Sequence, residues 1–236
     1  TNHALNQPDA QTFVAVSAAI SAPRPPTVER LVALNRGPFL GTPPLLEPLD
    51  EVRGQLLDVR DVHAYAAGHA HGALNVPVNG SSLGTKAGFL LDAEQPITLH
   101  ADSAEQAQQA ATQLRAVGLL DLAGYMLELK TPEQLRPMGI EELEALVAQD
   151  AIEVIDVREK DERDDGYIPG SRHIPYRLVR AYRDELQNGR PLVTVCTTGA
   201  RAAVAASALA VEGVEARPVL DGGMEEWEAR GNTVTA

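Results

Sequence analysis

The segment "VIDVREKDERDDGYIPGSRHIP", residues 154–175, has an earlier counterpart in the same chain, "LLDVRDVHAYAAGHAHGALNVP", residues 56–77. The two segments align without a gap at a constant offset of 98 residues. The identical positions are Asp58, Val59, Arg60, Gly68, Gly72 and Pro77 in the first segment, and Asp156, Val157, Arg158, Gly166, Gly170 and Pro175 in the second. Such an ordered set of identities indicates one structural unit that occurs twice.

Two further matches follow in the same order. "PITLHADSAEQAQQAATQLRAVG", residues 96–118, matches residues 191–213 at an offset of 95, and "LAGYM", residues 122–126, matches "LDGGM", residues 220–224, at 98 again. Because the offset changes by only a few residues, the insertions are expected in loops. We therefore predict a tandem duplication. Its parts are an N-terminal arm (1–44), a first domain (45–131) and a second domain (132–236).

The second copy alternates helical and strand patterns. Helices are predicted at 139–149 and 200–211, and strands at 153–157, 191–195 and 216–220. The strands at 153–157 and 191–195 are continuous apolar runs rather than alternating ones, which is typical of strands covered on both faces. The predicted fold class is α/β, with two domains that each contain a mostly parallel sheet and helices on both faces.

The composition narrows the possible partners. With 236 residues and 44% hydrophobic residues, the chain can bury two cores. Its net charge of −13 repels phosphate backbones and anionic lipid, so we expect neither nucleic acid nor a membrane as a partner. The apolar run Phe13–Ile20 is too short to span a bilayer.

Arginines cluster near the second copy's centre, where they could attract a small anion or form a solvated helix face: Arg172, Arg177, Arg180, Arg183, Arg190 and Arg201.

The chain has one cysteine, Cys196, in "VTVCTTGAR", residues 193–201. A single thiol excludes an intramolecular disulfide and fits a reducing compartment, so we expect a cytoplasmic protein. Cys196 follows a predicted strand and precedes a predicted helix, where backbone amides and the helix dipole would stabilise a thiolate. Gly199 tolerates a positive φ, and Arg201 offers a bidentate donor to an oxyanion. A lone cysteine is more often a small buried hydrophobe, but this combination favours a reactive thiol.

The segments "DVREKDERDDGYIPGSRHIP", "CTTGAR" and "LDGGMEEW" together resemble the rhodanese family of sulfurtransferases. The resemblance is strong over 139–231 and weak over 45–130. It implies that Cys196 takes sulfane sulfur from thiosulfate or glutathione persulfide, becomes a persulfide, and passes the sulfur to a nucleophile without any metal or organic cofactor. It also implies that the loop of Thr197, Thr198, Gly199, Ala200 and Arg201 cradles the persulfide. Asp156 and Arg158 belong to the signature, and we expect a supporting ion pair there.

The first copy lacks the cysteine, glycine and arginine that the resemblance assigns to the active-site loop of the second. Ala101 stands at the cysteine position, Ala104 at the glycine position and Gln106 at the arginine position. His100 is either a replacement base or a hydrogen-bonded structural residue, and the structural role is the more common one. The first copy therefore resembles the inactive copies of tandem rhodaneses, and we predict that it supports or shapes the active site of the second.

Two other features are predicted to be structural. His69 and His71 form a pair that could ligate zinc, but they align with the glycine loop of the other copy, and two ligands do not complete a zinc site. Trp227 could line the mouth of a pocket, but we expect it to pack beneath the last helix.

The arm contains "PRPPTVERLVALNRGP", residues 23–38, which has a polyproline-like lead and predicts a short amphipathic helix. It is similar to the connecting tail of metallo-β-lactamase-fold persulfide dioxygenases that are fused to rhodaneses. That similarity implies a longer parent protein with such a domain, and a chain that begins at Thr1 without methionine is consistent with it. The sequence leaves the oligomeric state open, with a homo-oligomer among the alternatives.

Three classes of function stay open at this point. The first is a sulfurtransferase, and the second is a cysteine phosphatase or arsenate reductase of the same fold. By resemblance, rhodanese-like phosphatases have one more residue between cysteine and arginine than the four found here between Cys196 and Arg201. The third is a non-catalytic interaction module, which the presence of both of these residues disfavours.

Overall fold

A computed structural model describes Asp9 and residues 23–37, 42–80, 82–128, 132–232 and 234–235 of the chain. The arm and first domain contain α1 (Thr27–Arg36), β1 (Gln55–Asp58), α2 (Val62–Ala67), β2 (Ala73–Asn75), α3 (Leu83–Leu90), β3 (Ile97–His100), α4 (Ala104–Arg115) and β4 (Leu122–Met126). The second domain contains α5 (Ile140–Ala148), β5 (Glu153–Asp156), α6 (Lys160–Asp164), β6 (Arg172–His173), a 3₁₀ helix (Tyr176–Tyr182), α7 (Arg183–Leu186), β7 (Leu192–Val195), α8 (Ala200–Val211), β8 (Ala216–Pro218) and α9 (Met224–Ala229).

The strands form two four-stranded sheets with the same topology. Their orders are β2-β1-β3-β4 and β6-β5-β7-β8, and every neighbouring pair is parallel. The two strands predicted to be covered on both faces are inner strands: β7 is buried at all four positions, and β5 is buried at every position except Glu153, which is half-buried. The fold class predicted from the sequence is confirmed, with two α/β domains in tandem.

The predicted elements of the second domain are present with small changes at their ends. Helix α8 has the predicted bounds, 200–211. Strand β8 is shorter than the predicted 216–220. Val219 still donates its N–H to the carbonyl of Thr194 in β7 at 2.9 Å, and it also forms an isolated bridge with Met138.

One predicted equivalence between the two copies is wrong. The segment "LAGYM" is strand β4, whereas its supposed counterpart 220–224 follows β8 and runs into α9. The strand pairing shows the true correspondence: Leu122 pairs with Ile97 in the first sheet as Ala216 pairs with Leu192 in the second. A five-residue match of leucine, glycine and methionine was too short to fix the register.

The helix predicted within the arm is α1, and it packs on the first domain. Arg30 donates from Nη1 to the carbonyl of Ala93 at 3.0 Å and also pairs with Glu94. Thr27 at the start of the helix is buried. The apolar run at 13–20 lies outside the described residues. No helix in the described part of the chain is long and apolar enough to cross a membrane.

Helix α8 is buried between the two domains. Every residue from Ala202 to Leu209 is buried, and most of them are alanines, so the backbones on either side can come close. The backbone N–H of Asn75, on the edge strand β2 of the first domain, donates to Ser207 Oγ at 3.0 Å. Ser207 therefore satisfies a buried edge-strand amide of the other domain.

We expect Ser207→Ala to destabilise the protein by about 1–3 kcal/mol, because the buried N–H of Asn75 then loses its acceptor. The measurement is the free energy of unfolding in urea. Thr112→Ala is the matched control, since Thr112 is an exposed hydroxyl on the equivalent helix α4 and donates to the carbonyl of Gln108 within that helix. Equal effects of the two substitutions would contradict the role given to Ser207.

Candidate active site around Cys196

Cys196 is the first residue after β7, the strand that lies between β5 and β8. Its Sγ accepts a hydrogen bond from the backbone N–H of Gly199 at 3.1 Å, and the residue is 1% exposed. Gly199 has a φ of 101° and precedes the first residue of the twelve-residue helix α8. The strand end, the turn and the helix start are therefore arranged as the sequence predicts.

The loop around the thiol is held on its carbonyl side by the start of α9. The N–H of Met224 donates to the carbonyl of Cys196 at 2.9 Å, and the N–H of Glu225 donates to that of Thr197 at 3.3 Å. Gly223 makes this approach possible, because a Cβ there would lie 2.2 Å from the Cys196 carbonyl oxygen. The remaining loop residues, Thr198 and Ala200, are exposed. The loop thus turns two carbonyls towards α9 and one amide towards the sulfur.

Arg201 forms a bidentate ion pair with Glu162 of α6. Its Nη1 and Nη2 donate to the two carboxylate oxygens, both at 2.5 Å, and Nη2 also contacts Thr197 Oγ1 at 3.1 Å. The hydrogen bond from Arg201 lowers the pKa of Glu162 to about 2, although partial burial opposes that shift. The same pair raises the pKa of Arg201.

This pair modifies the role predicted for Arg201. The sequence predicts a guanidinium that donates directly to an oxyanion, whereas in the structure both Nη atoms hold a carboxylate and brace the loop. Sequence analysis missed Glu162. The repeat contained a signal for it, because Ala64 stands at the Glu162 position in the same copy in which Gln106 replaces the arginine.

Asp156 and Arg158 form the expected buried ion pair at the end of β5. Arg158 Nη2 donates to Asp156 Oδ2 at 2.7 Å and to the carbonyl of Gly166 at 2.7 Å. Arg163 Nη1 reaches the same carboxylate oxygen at 3.1 Å. These contacts fix the loop between β5 and β6 beneath the 3₁₀ helix. Their geometry supports a structural role for the signature residues.

The first copy has a hydrogen-bonded loop in place of the thiol cradle. Ala101 is buried at the cysteine position, and the Gln106 side chain accepts from the N–H of Asp102 at 2.7 Å. His100 is buried with Nδ1 2.9 Å from Asp58 Oδ2. Burial raises the pKa of Asp58, but hydrogen bonds from His100 and Arg60 outweigh this effect and lower it. His100 therefore occupies a structural position rather than an exposed catalytic one.

The two histidines that could form a zinc pair, His69 and His71, have separate partners. His69 stacks on Tyr65 with ring centroids 3.9 Å apart and contacts its carbonyl, while His71 Nδ1 lies 2.9 Å from Glu133 Oε1. Among the described residues, no group of three or more His, Cys, Asp or Glu side chains is placed to hold a metal ion. Trp227 is 5% exposed within the core of the second domain, as expected for a packing residue.

The arginine cluster is compensated by carboxylates. Each of its six members pairs with an acid: Arg172 with Glu153 and Glu185, Arg177 with Glu159, Arg180 with Glu212, Arg183 with Asp184 and Glu212, Arg190 with Asp150, and Arg201 with Glu162. The cluster therefore forms ion pairs rather than an open anion-binding patch.

These features define a class: paired parallel α/β domains, one with a single thiol in a backbone loop at a strand end and the other with alanine at the equivalent position. The profile of the rhodanese-like domain family matches residues 43–128 and 139–230. The chain therefore belongs to the rhodanese-like domain family and contains two of its domains.

Two curated proteins and one solved structure are similar to parts of the chain. The chain is 32% identical over 87 residues to thiosulfate sulfurtransferase GlpE of Pseudoalteromonas translucida. The aligned region covers 37% of this chain and 82% of that relative. It is 32% identical over 75 residues to the uncharacterized protein YqhL of Bacillus subtilis, covering 32% of this chain and 60% of that relative's length. A crystal structure of a rhodanese-related protein from Thermoplasma volcanium matches with 28% identity and a TM-score of 0.39, over 42% of this chain and 97% of that one.

We expect Gly223→Ala to destabilise the protein by about 2–4 kcal/mol, because its Cβ would push the Cys196 carbonyl away and the backbone there has a φ of 124°. Gly231→Ala is the matched control, since Gly231 also has a positive φ but no heavy atom lies within 4 Å of the added Cβ. Its cost should be about 1 kcal/mol. Unfolding in urea measures both, and similar values would argue against the close approach at Gly223.

The ion pair predicts a pH-dependent contribution to stability. Glu162 has a folded-state pKa of about 2 against an ordinary 4.5, so its contribution is present above pH 4.5 and is lost as the pH falls towards 2. We expect Glu162→Gln to destabilise the protein by about 1–2 kcal/mol at pH 7, a figure reduced for the partial exposure of the pair. The difference in the free energy of unfolding between Glu162→Gln and the wild type should become smaller as the pH falls from 4.5 towards 2.

Glu142→Gln is the control for this measurement, because Glu142 forms a bidentate pair with Arg217 at the exposed surface of the same domain. Its loss should cost about 0–1 kcal/mol. A Glu162→Gln difference that stays constant down to pH 3 would show that the carboxylate charge does not stabilise the loop.

Proposed function

We propose that this protein is a sulfurtransferase that carries sulfane sulfur as a persulfide on Cys196. The observation that carries the proposal is the position of Sγ at the end of β7, where it accepts the amide of Gly199 at the start of α8. An N–H donor and a helix N-terminus favour negative charge on sulfur, which both the thiolate and the persulfide require. Membership of the rhodanese-like domain family and the similarity to a thiosulfate sulfurtransferase support the same chemistry.

The reaction has two displacement steps. In the first, the Cys196 thiolate attacks the outer sulfur of the donor, a new S–S bond forms, and sulfite or a glutathione thiolate leaves with the electron pair. In the second, a nucleophilic acceptor such as a thiolate, cyanide or sulfite attacks the terminal sulfur, and Cys196 leaves as a thiolate. Each step exchanges one bond to sulfur for another, so no electron carrier is consumed.

The contacts of Arg201 favour sulfur transfer over phosphoryl transfer. A phosphate group at the thiolate needs the planar guanidinium fork for its own oxygens. In this protein Glu162 takes both Nη donors of Arg201, and the four residues between Cys196 and Arg201 leave a short loop. A terminal sulfur is smaller than a phosphate and can be held by backbone amides alone.

Donor and acceptor remain proposals at the level of chemical class. We propose a small anionic donor, thiosulfate or glutathione persulfide, in a reducing cytoplasm, where a single unpaired thiol is maintained. The similarity of the arm to the tail of persulfide dioxygenase fusions favours glutathione persulfide. In such a parent protein the metallo-β-lactamase-fold domain would act on the same persulfide.

The proposal is tested by intact mass spectrometry after incubation with thiosulfate or glutathione persulfide. The wild type should gain the mass of one sulfur atom, and cyanide should remove it as thiocyanate. Cys196→Ser should gain nothing and should lose all turnover, because the chain has no other thiol. Sulfur retained by Cys196→Ser, or hydrolysis of an aryl phosphate without sulfur uptake by the wild type, would overturn the assignment.

A further inference from the structure

The Arg201 guanidinium lies beside the Cys196 loop, but a carboxylate holds it there. Arg201 Nη2 contacts Thr197 Oγ1 at 3.1 Å, and Thr197 directly follows Cys196 in the chain. Both Nη groups donate to Glu162, and the Thr197 hydroxyl donates to Glu162 Oε1 at 3.1 Å. Glu162 therefore occupies the planar fork with which an arginine binds the oxygens of a small oxyanion.

Glu162 is itself fixed at the start of α6. Its Oε2 accepts the backbone N–H of Glu159 at 3.2 Å, and the Glu159 carboxylate accepts from Arg177 Nε and Nη2 at 3.1 and 3.0 Å. The hydrogen bond from Arg201 lowers the pKa of Glu162 to about 2, so the carboxylate is ionised at neutral pH. Glu162 thus presents a permanent negative charge to Arg201 in a set of paired charges.

Two classes of sulfane-sulfur donor differ in the group bonded to the transferable sulfur. In thiosulfate this group is a sulfonate, and sulfite leaves with the electron pair when the Cys196 thiolate forms the new S–S bond. In a thiol persulfide it is a divalent sulfur without oxygens, and a thiolate leaves instead. A sulfonate brought into the site needs hydrogen-bond donors for its oxygens, whereas the divalent sulfur of a persulfide does not.

Resting on the proposed function, we propose that Glu162 is a positioning residue that sets donor specificity: by holding Arg201, it favours thiol persulfides over donors with an oxyanion group bonded to the transferable sulfur. Thiosulfate gains the guanidinium only by displacing a bidentate carboxylate, and Glu162 is then left as a partly buried charge without its partner. A thiol persulfide reacts with the pair intact. The substrate class of the site is therefore a thiol persulfide, for which glutathione persulfide is the probe.

The test compares sulfur uptake by Cys196 from thiosulfate and from glutathione persulfide. Intact mass spectrometry under single-turnover conditions gives, for each donor, a maximal rate and a half-saturating concentration. The specificity ratio is the second-order rate constant for thiosulfate divided by that for glutathione persulfide. We expect Glu162→Gln to raise this ratio about three- to tenfold, mainly through a lower half-saturating concentration of thiosulfate, because the amide does not neutralise Arg201. A general loosening of the loop would change both rate constants and cancel in the ratio.

Two variants separate the release of Arg201 from other effects. Glu142→Gln makes the same charge change in an exposed bidentate pair with Arg217, and it should leave the ratio unchanged within a factor of about two. The double variant Glu162→Gln with Arg201→Gln removes the pair as a unit and keeps the wild-type net charge. Its ratio should also stay within a factor of about two of the wild-type value, because Arg201 serves Glu162 rather than the donor in the wild type.

Three results would overturn the role given to Glu162. The first is an unchanged ratio in folded Glu162→Gln, or in Glu162→Asp, whose side chain is one methylene shorter, if the glutamine variant does not fold. The second is a ratio lowered more than about threefold in the double variant, which would show that Arg201 binds thiosulfate in the wild type. The third is a wild type that takes sulfur faster from thiosulfate than from glutathione persulfide.

Failure of the proposed function gives a different result. A wild type that gains no sulfur from either donor would overturn the sulfurtransferase proposal. Protection of Cys196 from iodoacetamide by thiosulfate then tests Glu162 on its own, since this assay needs binding but no sulfur transfer. Protection at about three- to tenfold lower thiosulfate concentration in Glu162→Gln would support the inference, and equal protection in the two proteins would overturn it.

Discussion

The close packing of α8 between the two sheets is the constraint on which the rest of the structure depends. Its buried alanines let β2 of the first domain approach one side while the second sheet covers the other, and the Asn75–Ser207 hydrogen bond joins them. The same helix begins at the Cys196 loop, so the position of the thiol is set by contacts with both domains. The first domain therefore covers the small residues of α8 on one side, and those residues would face water without it.

The two copies differ at a charged pair, and both members of the pair differ together. Each keeps a buried aspartate, Asp58 or Asp156, paired with an arginine two residues later. Only the second copy has the Glu162–Arg201 pair, and the first has alanine and glutamine at those positions. Removing one member of a partly buried pair leaves an uncompensated charge, which costs more than removing both. In the first copy the glutamine instead bonds Asp102, so its loop stays closed without the charges.

The sequence predicted well what depends on local pattern. Helix 200–211, the apolar central strands and the turn at Gly199 follow from propensity, burial on two faces and the need for a positive φ. Prediction from the sequence failed where a side-chain position depends on residues that are distant in the chain. The direction of Arg201 is fixed by Glu162, 39 residues earlier, and a long side chain can turn to any partner within reach. The hydrogen bond between Asn75 and Ser207 depends on how the two domains pack, and no periodicity within either copy carries that information.

Burial of Cys196 follows from the same packing and bears on its chemistry. Under the proposed function, a buried position protects the terminal sulfur of a Cys196 persulfide from water and from other thiols. Exclusion of water also strengthens the electrostatic interactions inside the site, including that between the Gly199 amide and the Cys196 sulfur. Cys196 is 1% exposed, whereas Thr198 in the same loop is exposed. The loop therefore holds the thiol in the interior of the domain and presents one of its own side chains at the surface.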